Sequence, residues 1–189
     1  MRRVVVAALV GVLAVVSAAP GASAAPPRED AIGDAVPKGD IVTGTYSANF
    51  TDIFLTGFKG RVTLRQGTDP ATAAAWNSPQ TRLVVQLDTT NTHTGPDVQV
   101  VAHKVEGVFT AEVTDLLSAV PGPLTCGATA SFTAPNIYKV FVPSDCLDTD
   151  ITSVRARFRM FFDTPPAGGS VSVDKSPNTG WGSRLQAAP

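Results

Sequence analysis

Apolar and polar positions alternate along most of the chain. In FKGRVTLR, Phe58, Gly60, Val62 and Leu64 fall on one side, and Lys59, Arg61, Thr63 and Arg65 on the other. A period of two is the signature of a half-buried strand. TRLVVQLD repeats it with Leu83, Val85 and Leu87. DITSVRARFRMFFD carries it furthest, with Val154, Ala156, Phe158, Met160 and Phe162 inward. Residues 98–105 and 108–113 read as two strands divided by Glu106-Gly107, a tight hairpin turn. SVSVDK, 170–175, adds an edge strand.

Helical periodicity is scarce. DPATAAAW offers Asp69 as a cap, Pro70 at the first helical position and alanines beyond, so a short surface helix is expected there. TDLLSAV, 114–120, suits another turn or two before Pro121-Gly122-Pro123 stops it. Eight or nine strands with regular turn signals predict an antiparallel β-sandwich of the jelly-roll or immunoglobulin-like class. A closed β-barrel is the alternative.

The two ends change this picture. Arg2 and Arg3 precede an apolar run from Val4 to Ala19, and Ala22-Ser23-Ala24 gives the small-x-small pattern of signal peptidase. Residues 1–24 are therefore read as a Sec-type signal peptide cleaved after Ala24, and the mature chain as secreted, with no membrane attachment. APPREDAIGDAVPKG, 25–39, mixes proline, charge and glycine without periodicity and reads as a flexible leader. The sandwich is expected over 40–182 and a tail over 183–189. Loss of the signal leaves 13 basic against 16 acidic residues, a net charge of −3. General nucleic-acid binding, which draws on a basic excess, is not expected.

Cys126 and Cys146 are the only cysteines, and an exported chain meets oxidising conditions. CGATASFT and IYKVFVPSDC flank Ala134-Pro135-Asn136, a good turn centre. A hairpin folded there brings both cysteines to its open end, within reach of a disulfide that fixes its register.

Arg155, Arg157 and Arg159 share one side of a strand, which by itself describes an outward face whose arginine stems cover apolar neighbours. If Lys59, Arg61 and Arg65 lay on the next strand and the same face, six cations would form a patch for a wall polymer phosphate or another polyanion. The chemistry of catalysis finds little material. His93 and His103 are the only histidines, and no G-x-S-x-G elbow, H-E-x-x-H pair or glycine-rich phosphate loop occurs. Asp88, Asn91 and Asp97, and Asp145, Asp148 and Asp150, cluster in loops. Neither set matches the alternating calcium-loop pattern, and both read as turn formers. No catalytic residue, metal or cofactor is assigned.

Trp76 and Trp181 are the only tryptophans and lie outside the alternating strands. Aromatic faces on loops are one way a sandwich holds sugar rings, which makes this pair the candidate ligand platform.

VVQLDTTNTHTGPDVQVV, then YKVFVPSDCL, VRARFRMFFD and DKSPNTGW, resemble a group of uncharacterised exported actinobacterial proteins. More remotely the order is similar to family-nine carbohydrate-binding modules and DOMON-type domains. That resemblance implies a sandwich that binds sugars, or haem where axial ligands exist; Met160 falls on the apolar face and no Met–His pair stands out. The expected function is a secreted, non-catalytic binding or surface-interaction module for an extracellular glycan or cell-wall polymer. The alternative is a structural or inhibitor-like interaction protein without a small-molecule site.

Overall fold

A computed structural model of the chain describes residues 22–31, 33–51, 54–90, 95–147, 150–164 and 171–187. Thirteen strands occur among these residues: β1 (Ala22–Ala24), β2 (Arg28–Glu29), β3 (Ile41–Thr51), β4 (Phe54–Leu64), β5 (Arg82–Asp88), β6 (Val98–Val105), β7 (Val108–Asp115), β8 (Gly122–Leu124), β9 (Thr129–Thr133), β10 (Ile137–Pro143), β11 (Ser153–Asp163), β12 (Val171–Ser176) and β13 (Leu185–Gln186). They form two antiparallel sheets rather than a closed barrel. The first sheet runs β1-β3-β4-β10-β9, with β2 also on β3. The second runs β12-β11-β5-β6-β7-β8, with β13 also on β11. The chain crosses between sheets after β4, after β8 and after β10, so hairpins alternate with crossings.

Periodicity set the faces as expected. Phe58, Val62 and Leu64 from the first sheet meet Leu83, Val85, Leu87, Phe158, Met160 and Phe162 from the second in one core. Phe158 needs space that two glycines of the opposite sheet supply. A Cβ at Gly44 would stand 2.8 Å from Phe158 Cδ2, and one at Gly60 3.0 Å from Cε1. Between β6 and β7, Glu106 and Gly107 both take positive φ, 49° and 86°, the requirement of a tight hairpin with two left-handed positions.

Cys126 and Cys146 are bonded, with Cα atoms 5.4 Å apart. The hairpin is the expected one: Thr133 faces Ile137 and Thr129 faces Phe141 across it. Both cysteines lie beyond the last paired residues, however, and Cys146 belongs to a 3-10 turn, Ser144–Cys146. The bridge ties the hairpin's open end rather than a facing pair within the ladder.

The helical expectations fare less well. DPATAAAW yields only a 3-10 turn, Ala74–Asn77. Asp69 does not cap it: its side chain accepts the Ala71 amide at 2.9 Å in the preceding turn, and the 3-10 turn starts from Ala73 without a side-chain cap. TDLLSAV forms no helix: 114–115 complete β7, and the Asp115 carboxylate accepts the Leu117 amide at 2.8 Å, turning the chain instead.

Both ends carry more structure than a leader and a tail. Ala25 is buried, and Arg28–Glu29 pairs with Thr43 and Gly44. At the other end Leu185 is buried and pairs with Val154. β1, which pairs with Ser47–Asn49, lies inside the expected signal segment, so cleavage after Ala24 would remove it.

Candidate functional site

The arginine stripe is not joined to the lysine-bearing strand. Arg155 and Arg157 are engaged, while Arg159 stands opposite Lys175 of β12, its Nε lacking a hydrogen-bond partner among the described residues. β11 pairs with β5, so Arg155 stands opposite Asp88 and Arg157 opposite Gln86. Asp88 is fully buried. One of its oxygens takes Arg155 Nε at 2.7 Å and Nη2 at 2.5 Å; the other takes Arg184 Nη2 at 2.7 Å. Arg157 Nε donates to Gln86 Oε1 at 2.7 Å. Trp181 then covers the stripe, its ring centroid 4.6 Å from the Arg157 guanidinium carbon and 5.2 Å from that of Arg155. Burial, and secondarily the neighbouring Arg159, holds the Arg157 pKa below its usual value. An indole ring on two guanidinium groups contributes a cation–π attraction of about 1 kcal/mol.

Trp76 is a core residue. It is 1% exposed, stacks on Tyr138 at 5.4 Å, meets Phe109 edge-on at 5.1 Å and donates Nε1–H to Thr68 Oγ1 at 3.0 Å. The two tryptophans therefore form no shared platform: one closes the inside of the sandwich, the other lies on the outer face of the second sheet. The expected six-cation patch is also divided. Lys59 and Arg61 project from the first sheet, while Arg155, Arg157 and Arg159 project from the second. Arg65 stands past the end of β4, with Nη1 3.8 Å from Asp40 Oδ2.

Of the candidate loop acids, Asp88 ends β5 and Asp97 is engaged structurally, while Asp145 and Asp150 are exposed. Asp97 accepts the amides of Thr89 and Thr90, at 2.6 and 2.8 Å, and the Thr89 hydroxyl at 2.8 Å. Asp97 and Asp145 share the wall of a small depression, but among the described residues they form no set within metal-ligating reach. Asn91, His93 and Asp148 lie outside the described residues. His103 Nε2 sits 3.1 Å from Glu112 Oε1 on the β6–β7 hairpin.

What the chain does assemble is a groove on the outer face of the first sheet. Register places Thr45, Arg61, Lys139 and Ser131 in one row across β3, β4, β10 and β9. The next row is Ser47, Lys59, Phe141 and Thr129. These rows, together with Ala24 and Ala25 at the β1 side, line a cavity of about 490 Å³; cleavage after Ala24 would open that side and leave the rows on β3, β4, β10 and β9 as the groove. Lys59, Arg61 and Lys139 are exposed, and no carboxylate occurs among the lining residues. Among the described residues none of the three cations makes an ion pair. Lys59 Nζ rests 6.0 Å from the Phe141 ring centroid.

The groove follows from strand chemistry. Thr43, Thr45, Ser47 and Asn49 alternate outward along β3, while Tyr46, Ala48 and Phe50 turn inward. Small hydroxylated side chains on β3 and β9 leave the longer Lys and Arg of the central strands standing in a shallow trough. Reading the sequence found Lys59 and Arg61 but not Lys139. IYKVFVP alternates as clearly as any strand, with Lys139 outward, yet nothing local says that β10 lies beside β4.

Fold and site together define an all-β, disulfide-bonded sandwich with a cationic, hydroxyl-lined groove on one sheet and, on the other, Trp181 laid over Arg155 and Arg157. No protein-family model matches the chain, and no similar curated protein or solved structure is found.

Proposed function

We propose that this protein is an exported, non-catalytic binding module whose groove holds an acidic extracellular glycan or a phosphate-bearing wall polymer. One observation carries the reading: Lys59, Arg61 and Lys139 stand together, exposed and without acidic partners, on a protein whose overall charge is negative. Local cation excess against a negative background selects ligands that present closely spaced anionic groups. The hydroxyls of Thr45, Ser47, Ser131 and Thr129 supply donors and acceptors for sugar hydroxyls between those charges. Phe141 offers an apolar edge for a ring face. The surface is open along the strands, which suits a linear polymer more than a compact metabolite.

The test is binding of polygalacturonate and of poly(glycerol phosphate), with dextran as the neutral control, followed by calorimetry. Binding to the acidic polymers is expected at low salt. It should weaken steeply towards about 0.5 M salt, where screening shortens the reach of exposed charges to a few ångströms. The Lys59→Ala/Arg61→Ala/Lys139→Ala variant should lose it at unchanged melting temperature. Equal retention of that variant would exclude the groove.

A further inference from the structure

We infer that loss of residues 1–24 adds a fourth cation to the groove: the α-ammonium group of Ala25, which becomes a binding group for the anions of the polymer. This rests on the groove reading and on cleavage after Ala24, and it gives a binding role to a residue whose side chain has no polar chemistry.

Ala24 and Ala25 line the groove at its β1 side. Ala24 faces Ser47, which extends the row of Ser47, Lys59, Phe141 and Thr129 by one position. The Ala24–Ala25 peptide unit thus lies at the end of the row that holds Lys59. Ala25 N donates to Tyr46 O at 2.9 Å. The Ala25 methyl group belongs to the hydrophobic core, at 6% exposure, and Arg28–Glu29 pairs with Thr43 and Gly44 of β3. All of these contacts are made by residues that remain after cleavage. The new first residue is held by its side chain, by its own nitrogen and by the strand that follows, so the nitrogen stays at the groove.

Signal peptidase adds water across the Ala24–Ala25 amide. The carboxylate leaves on Ala24 with the signal segment; the nitrogen stays on Ala25 and is protonated, because an α-amino group has a pKa of about 7.7 to 8.0. A neutral amide with one N–H becomes a cation with three. One N–H continues to Tyr46 O, and another replaces the broken bond and points to where Ala24 stood.

The surroundings make that nitrogen a ligand group. Among the lining residues there is no carboxylate to neutralise it, and Lys59, Arg61 and Lys139 line the same cavity. Like charges gathered in this way are relieved by a ligand that brings several anionic groups. The same cut removes a strap. Ala22–Ala24 pair with Ser47–Asn49, so the edge of β3 beside the groove is covered before cleavage and open after it. The precursor is the closed form of the site, and the chain that begins at Ala25 is the competent one.

Three disulfide-bonded chains test this: one that starts at Ala25, the same chain acetylated enzymatically on the Ala25 amine, and one that starts at Ala22. With poly(glycerol phosphate) as the probe at low salt, the second and third should each bind about tenfold more weakly than the first, the scale of one charge-assisted hydrogen bond. Acetylation should also make the salt dependence shallower, because one fewer counterion is released. All three should share one circular dichroism spectrum, which separates lost binding from lost folding. Equal affinity of the free and acetylated chains would overturn the inference. So would an intact mass of the exported protein that places its first residue anywhere but Ala25. Affinity lost in Lys59→Ala/Arg61→Ala/Lys139→Ala but not on acetylation strikes the inference and keeps the groove; binding by none of the chains strikes both.

Discussion

Asp88 shows how much one side chain can organise. Its two oxygens are shared between Arg155 of β11 and Arg184 of the C-terminal segment, and Arg184 also donates to Thr90 O and Ser153 Oγ, both at 3.0 Å. Asp88→Asn would leave two partly buried guanidinium groups facing a neutral amide. The expected loss is about 3 kcal/mol, read as a lower urea midpoint, because breaking a buried pair strands the remaining charge. Asp30 makes the opposite case. Burial first, and then the neighbouring Asp174 carboxylate, pushes its carboxyl from 3.8 up to about 7. The folded state therefore holds a proton that the unfolded chain has released between those two values. The Asp30 contribution to stability is present below about pH 4, declines as pH rises and is gone above about 7. Melting scans from pH 4 to 8 should show that decline, and Asp30→Asn should flatten it.

At the scale of elements, alternation made the strands legible and their neighbours illegible. VRARFRMFFD specifies that Phe158 points inward and Arg157 outward whatever lies beside it. It does not specify that β5, rather than β4, supplies the facing Gln86 and Asp88. The cysteine hairpin was readable because turn and strands are contiguous; its exact tie point was not, because the 3-10 turn at 144–146 carries the chain beyond the ladder. Closing a loop of this sequence separation, 20 residues, stabilises by about 3 kcal/mol in the chain-entropy model. Cys126→Ser/Cys146→Ser should lower stability by that amount in chemical denaturation while retaining the β-sheet circular dichroism spectrum. TDLLSAV misled because its Leu pair suggests a helical face. The Asp115 side chain captures a nearby amide and turns the chain, and Leu117 is left 48% exposed.

Across the whole molecule the two outer faces divide the work. On the second sheet Asp88 neutralises Arg155 and Arg184, Gln86 holds Arg157, and Trp181 covers Arg155 and Arg157, so this part of the face contributes to stability. Tyr46 joins the two ends of this arrangement, its hydroxyl donating to Ser183 O while its ring packs 5.8 Å from Phe58. The first sheet's cations have no such partners. Changes on the two faces should consequently separate: loss of the groove cations affects polymer binding at constant stability, whereas Trp181→Ala lowers stability by about 1 kcal/mol at constant affinity. Paired calorimetric and melting measurements on both variants read this directly.

The sequence by itself determined the two-residue rhythm, the inward and outward membership of each side chain, the hairpin at Glu106-Gly107 and the cysteine pairing. All of these depend on neighbours close along the chain or on there being one possible partner. Only the tertiary structure decided which strands adjoin. That choice split the six cations between two faces, placed Lys139 beside Arg61, buried Trp76 and put Asp174 next to Asp30 and Asp34. Alternation fixes the side to which a residue points, but any strand with the same rhythm pairs equally well by that criterion. The selection is made by packing of the whole core, where Phe158 finds room over Gly44 and Gly60 and nowhere that a local pattern could indicate.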